Sequence, residues 1–277
     1  MADGASTSHE GAPRPLPRLI GVVHLPPLPG SPRSTLRLSQ IIAAAETDAR
    51  ALELAGFQGV IVENYGDAPF ARGRVGEETV SAMTACALAV REAAPTLALG
   101  VNVLRNDAIA ALAVALASEA SMVRINVHIG ARVTDQGIIE GAAHETLRHR
   151  KCLGLEGSVR LLCDVAVKHS APLAPRPLEE ETRELVERGL ADAVLVTGSG
   201  TGARVDDDEL AVVCRATEAP IYVASGAEPG NLPALTKAHG VIVGTALRAT
   251  RRAGMPIDRE TARAFAAAFF EVWGPAA

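Results

Sequence analysis

MVRINVHIG, residues 122–130, sets Arg124, Asn126 and His128 in alternation with Val123, Ile125 and Val127. Successive side chains of a β-strand point to opposite faces, so this stretch reads as a strand with one aliphatic and one polar face. Seven other apolar runs also close on polar or small residues. They are LIGVVHL (19–25), GVIVENYGD (59–67), LALGVNVLRND (97–107), VRLLCDVAVKH (159–169), AVLVTGSG (193–200), IYVASGA (221–227) and GVIVGTAL (240–247). Segments rich in Ala, Glu and Arg with helical period separate them. Alternation of this kind is the sequence form of repeated βα units around a parallel sheet. Eight units predict a closed (β/α)8 barrel, a single α/β domain of the TIM type, whose strand ends converge on one mouth where ligands bind.

The predicted strands cover 19–25, 59–63, 97–103, 122–128, 159–167, 193–197, 221–225 and 241–245. The predicted helices cover 39–56, 77–94, 107–117, 142–153, 178–189, 206–217, 230–237 and 258–273. Long loops follow strands at 64–76, 130–141 and 168–177, whereas helix-to-strand turns are short. Long loops in compact folds are commonly functional, and here they all fall on the mouth side.

Composition agrees. The 277 residues match the roughly 250 of one such barrel, and with 48% hydrophobic but 3% aromatic residues, aliphatics must fill the core. Residues 1–18 lack an apolar core and read as a disordered tail, which leaves 19–277 for the barrel. A net charge of −5 argues against a nucleic-acid partner. No apolar run reaches the roughly 18 residues of a membrane span. Cys86, Cys152, Cys163 and Cys214 are scattered, as in a reducing compartment, so a cytoplasmic location is expected. The last helix gathers Phe265, Phe269, Phe270 and Trp273, for core closure or for the face of a homo-oligomer.

Facing is decided by alternation. The more apolar set of each strand belongs against the helices, which turns Glu63, Asn102, Asn126, Asp164 and Thr197 inward, with Arg124 and His128 sharing the face of Asn126. Unpaired buried polar groups cost several kcal/mol, so such a gathering implies a ligand, a metal or a closed structural network. Glu63 and Asp164 are the candidate catalytic carboxylates for acid/base work. Asn102 and Asn126 suit sugar hydroxyls. No cofactor is assigned, but His24, His128 and His169 with Glu63 and Asp164 leave a divalent metal open, although no HxH spacing supports one. Ser225–Gly226 and Gly244–Thr245 end adjacent strands 7 and 8, where barrels bind phosphate on backbone amides. A small phosphorylated ligand is therefore the expected partner. The Gly-rich loop 197–202 lacks a Walker lysine.

Long motifs carry a resemblance. GVVHLPPLPGSPR (21–33), VENYGDAPF (62–70), GVNVLRNDA (100–108), VRINVHIGARVTDQGIIEG (123–141), DVAVKH (164–169), VTGSGTG (196–202) and VIVGTALR (241–248) resemble the BtpA/SgcQ family across residues 19–273. The resemblance implies a TIM-type barrel and one of two roles. One is photosystem I biogenesis, with peripheral membrane association left open. The other is a nucleosidase-like enzyme cleaving glycosidic bonds. Its regular positions fall on His24, Glu63, Asn64, Asp67, Asn102, Arg105, Asn106, Asp107, Arg124, Asn126, Asp135, Asp164, Lys168 and His169. It thereby adds His24 and Lys168 to the catalytic candidates, and Asn64, Asp67, Arg105 and His169 to the substrate-binding set of Asn102, Asn126, His128 and Thr197. Ala166, where a larger or polar residue is common, and Arg248, where Lys is usual, depart from its pattern.

Overall fold

The computed structural model describes residues 15–198 and 200–275. The barrel strands are β1 (Leu19–His24), β2 (Gly59–Glu63), β3 (Ala98–Asn102), β4 (Met122–Ile125), β7 (Arg160–Val165), β9 (Ala193–Val196), β10 (Ile221–Val223) and β11 (Gly240–Val243). They form one closed barrel in chain order, β11 pairing back onto β1, with every neighbouring pair parallel. Around it lie α1 (Leu38–Ala55), α2 (Glu77–Ala93), α3 (Ala108–Ser118), α4 (Ala143–Cys152), α5 (Leu178–Glu187), α6 (Asp207–Ala216) and α7 (Arg259–Trp273). The (β/α)8 expectation is met.

Alternation sorts the core into two layers. Ile20, Val22, Ile61, Met122, Leu162, Leu195, Tyr222 and Ile242 fill the barrel interior. Val23, Val60, Val62, Val101, Val123, Cys163, Val194 and Val241 face the helices. Strands buried on both faces carry near-continuous aliphatic runs, which is why so few aromatics suffice.

Three features depart from expectation. The segment between β10 and β11 is a 3-10 helix, Pro229–Leu235, because Pro233 has no N–H for an α-helical ladder. The supposed loop 130–141 is a hairpin, β5 (Ala131–Thr134) and β6 (Gly137–Glu140), to which β8 (Ser170–Pro172) adds a third strand. The start of the tail lies outside the described residues. Its end does not behave as a tail: the Tyr222 hydroxyl, inside the barrel, donates to the Pro17 carbonyl at 2.9 Å, and Leu16 packs on the interior cluster. Residues 16–18 plug the barrel bottom, opposite the mouth.

Asp107, Asp206 and Asp258 cap α3, α6 and α7 by accepting backbone N–H groups of the first turn. The second Asp107 oxygen accepts from the Val75 N–H at 2.9 Å, tying the loop after β2 to the start of α3.

Candidate active site

Register brings the polar strand ends level. His24 is the cross-strand partner of Glu63, and Glu63 of Asn102, so β1, β2 and β3 present them in one row. Above this row the mouth encloses a cavity of about 530 Å³. Val22, Ala224 and Ile242 contribute its apolar surface, and His24, Glu63, Arg105, Arg124, Asn126, Lys168 and His169 its polar surface. Ser225, Gly226, Gly244 and Thr245 form one corner.

Asp164 does not line this space. Its carboxylate accepts from the Arg124 guanidinium, at 3.1 Å to each oxygen, and from Asn126 Nδ2 at 2.7 Å. Asn102 Nδ2 in turn donates to Asn126 Oδ1 and to the Arg124 carbonyl, both at 3.1 Å. The inward turn deduced for Asp164, Asn102 and Asn126 is met. The free catalytic carboxylate is not: a bidentate arginine and an amide occupy Asp164, so it orients Arg124 and Asn126, which do reach the cavity.

Two carboxylates line the cavity, Glu63 and Glu228, and Glu228 is paired with Arg251, which leaves Glu63 as the unbonded one. His24 Nε2 lies 3.7 Å from its Oε1, and His24 Nδ1 accepts the Gly254 N–H at 3.2 Å. Burial, then the charges of Arg248, Lys168 and Arg124, hold the His24 pKa well below the ordinary imidazole value. The ring is neutral at pH 7. With Nδ1 accepting, its proton sits on Nε2 and faces Glu63. Tyr65 stacks on this imidazole at 4.5 Å, fixing its plane.

Lys168 follows β7 in a backbone held at both ends. Its N–H donates to Thr197 Oγ1 at 3.0 Å, and its carbonyl accepts from Arg105 at 2.8 Å. Ala166 (φ 49) and His169 (φ 56) on either side are left-handed, a conformation costly for residues with a Cβ and concentrated at functional sites. Burial, reinforced by Arg124, pushes the Lys168 ammonium down to about 8.

In the β10–β11 corner the Ser225 hydroxyl is already engaged. It accepts from the Gly198 N–H at 2.6 Å and donates to the Ala203 carbonyl at 3.0 Å. Its part is to brace the loop after β9. Gly226 (φ 66) packs so tightly on Ala203 and Arg204 that a Cβ would overlap them. Thr245 opens a 3-10 turn, Thr245–Leu247, whose first N–H groups have no partner within the turn. Beneath it, Arg248 is 1% exposed. It donates to the carbonyls of Gly244, Val22 and Met255. Lysine could not span three carbonyls in this fork.

The remaining candidates brace the mouth from behind. Asn64 Nδ2 donates to Asp67 (3.0 Å) and to the Leu104 carbonyl (3.3 Å), and Asn64 Oδ1 accepts from the Leu104 N–H (2.7 Å). Asp67 accepts from the Leu28 N–H at 2.7 Å. Together they lock the loops after β1, β2 and β3. Thr197 grips Lys168. Regular pairing of β4 stops at Ile125, so alternation no longer governs His128, whose Nε2 meets the Gly189 carbonyl at 2.7 Å, after α5 and away from the cavity. Sequence reasoning missed Arg33, Tyr65 and Arg252, which line the cavity from loops. Arg33 and Tyr65 fall within the motifs 21–33 and 62–70, whereas Arg252 lies in none.

Metal chemistry finds no donor set of the kind considered. Asp164 is turned into Arg124, away from His24 and Glu63, and among the described residues no three His, Cys, Asp or Glu side chains gather as ligands. No helix among those residues is long and apolar enough to cross a membrane.

Known proteins share this fold. Among solved structures, the fold resembles thiamine phosphate pyrophosphorylase from Pyrococcus furiosus (TM-score 0.56, 16% identity, 92% of this chain and 97% of that one). It also resembles (S)-3-O-geranylgeranylglyceryl phosphate synthase from Thermoplasma acidophilum in complex with its substrate sn-glycerol-1-phosphate (0.54, 13%, 92% and 93%). At these identities the likeness is one of fold. Sequence relatives stand nearer. An uncharacterized Thermococcus kodakarensis protein is 46% identical over 246 residues, 88% of this chain and 92% of its own. The photosystem I biogenesis protein BtpA of Synechocystis is 42% identical over 257 residues, 91% of this chain and 88% of its own. The BtpA family model matches residues 17–271, and the chain belongs to the BtpA family.

Proposed function

We propose that this barrel is an enzyme acting on a phosphorylated sugar or nucleoside, cleaving a glycosidic bond at its mouth. The observation that carries the reading is the pairing, in one cavity of about 530 Å³, of a single unbonded carboxylate, Glu63, with a cationic wall of Arg33, Arg105, Arg124, Lys168 and Arg252. Cavities of this size hold small ligands, and that wall favours an anionic one. The phosphate is placed at the β10–β11 corner, on the amides of Gly226 and Thr245, where barrels of this type bind phosphate. The sugar then extends toward Glu63.

Glu63 acts as general base on the attacking water, with Lys168 or the Nε2–H of His24 protonating the leaving group. Asp164, expected to share the acid/base work, instead holds Arg124 and Asn126 toward the ligand. The test is release of free base from nucleoside 5′-monophosphates, followed by chromatography for the wild type and Glu63→Gln. Turnover lost in the variant supports the reading; equal turnover in both, or none in the wild type, refutes it.

A second reading rests on the Synechocystis relative's name: a non-catalytic assembly factor. Under it, partner capture would survive Glu63→Gln unchanged.

A further inference from the structure

The chain carries 27 basic residues but only three lysines, Lys151, Lys168 and Lys237. Lys151 and Lys237 are exposed. Lys168 is, among the described residues, the one primary amine on the cavity wall. Among the described residues its ammonium forms no ion pair and no hydrogen bond; only its backbone is engaged. A lysine kept only for charge gains nothing over arginine in so arginine-rich a chain, whereas a lysine can lose its proton and attack carbon.

The surroundings suit that use. The backbone of Lys168 is gripped at its N–H by Thr197 and at its carbonyl by Arg105, and left-handed residues flank it at Ala166 and His169. The amine is thus aimed by a braced, strained segment rather than by a flexible stem. The charges that act on it are those of Arg124 from β4, Arg105 from the loop after β3, Glu63 from β2 and Asp164 from β7. His24 from β1 also feels its charge but is neutral. Asp164 is neutralised by Arg124, so Glu63 is the free carboxylate among these groups, with the His24 and His169 imidazoles also on the cavity wall.

We propose that Lys168 is a covalent nucleophile whose ε-amine condenses with the carbonyl carbon of an open-chain phosphorylated sugar to form an imine. The nitrogen lone pair forms the C–N bond while the C=O π pair moves to oxygen. The ammonium proton passes through Glu63 to that oxygen, giving a carbinolamine. A second proton, from solvent through Glu63, lets the hydroxyl leave as water, and the nitrogen lone pair closes a protonated imine. One amine, one carbonyl and one proton yield one iminium and one water. The iminium is an electron sink, so the site could break or shift a bond next to the former carbonyl. This inference rests on the phosphorylated-ligand reading above but not on glycosidic cleavage.

The experiment uses the whole chain, ribose 5-phosphate or pyridoxal 5′-phosphate as probe, and sodium borohydride to reduce the imine to a stable amine. Intact mass and peptide mapping read the result, and calorimetry with ribose 5-phosphate runs in parallel. We expect one adduct, on Lys168, suppressed by excess inorganic phosphate and absent from Lys168→Arg and Lys168→Met. Its rate of formation should rise with pH and level off near about 8, whereas exposed amines keep gaining reactivity toward about 10.4. Binding of ribose 5-phosphate without an adduct would overturn the imine and leave the phosphate reading intact. Neither binding nor adduct would overturn both. Labelling spread evenly over Lys151, Lys168 and Lys237 would show ordinary surface chemistry and end the proposal.

Discussion

Arg124 and Asp164, on adjacent barrel strands, meet through contacts of 3.1 Å to both carboxylate oxygens, with side chains 3% and 0% exposed. A pair this deeply buried gains little net stability over an apolar pair of the same volume, yet removing one partner strands a charge. Its value lies in placement: the pair fixes Asn126 through Asp164, and Asn102 through Asn126, so four strand-end groups act as one unit.

Asp164→Ala should therefore cost about 3–5 kcal/mol, the range for an orphaned buried charge. The double variant Arg124→Met with Asp164→Leu should recover much of that loss. Urea denaturation of Arg124→Met, Asp164→Leu and the double variant measures the coupling. Additive losses would show that the two side chains act independently.

Glu63→Gln should leave the fold almost untouched, because the Glu63 carboxylate forms no hydrogen bond among the described residues and stands 3.7 Å from a neutral imidazole. We expect a melting temperature within a few degrees of wild type and a rate about 10²–10⁴-fold lower, the usual contribution of a general base. A large drop in melting temperature would assign Glu63 to the framework.

The pH dependence of stability follows from His24. Its folded-state pKa lies well below the unfolded value near 6.5. Between the two, the unfolded chain holds a proton that the native chain does not, so stability falls as pH drops below about 6.5. His128 and His169 are shifted in the same direction. His24→Gln should shallow the acid limb without abolishing it. An unchanged slope in denaturant titrations from pH 7 to 5 would contradict the buried, neutral ring.

Gly226→Ala tests the anion corner. A Cβ at φ 66 would overlap Ala203 and Arg204, which should cost more than about 1 kcal/mol and turn the Gly226 amide out of line. Inorganic phosphate at about 100 times its dissociation constant should stabilise the wild type by about 2.7 kcal/mol and the variant much less. Equal stabilisation of both would move the anion elsewhere.

Much of this was legible in the sequence. Period-two alternation placed Glu63, Asn102, Asn126, Asp164 and Arg124 inside because the strands are paired on both sides and cannot slip by one residue without turning valines into the mouth. The limit of that logic is a strand's last ladder bond: His128 lies beyond it and turns to Gly189. The hairpin of β5 and β6 escaped because its strands are four residues each around the turn at Gly137 (φ 94). Nor does alternation reveal what a side chain is bonded to. Glu63 and Asp164 are equivalent in the sequence, and only the Arg124 side chain, one strand away, makes one a free carboxylate on the cavity and the other a sealed support.

A crystal of the full chain soaked with ribose 5-phosphate examines the whole account at once. We expect the phosphate against the amides of Gly226 and Thr245, with the sugar's C1 within reach of Glu63 and Lys168. Phosphate bound outside the mouth, or a sugar turned away from Glu63, would contradict it.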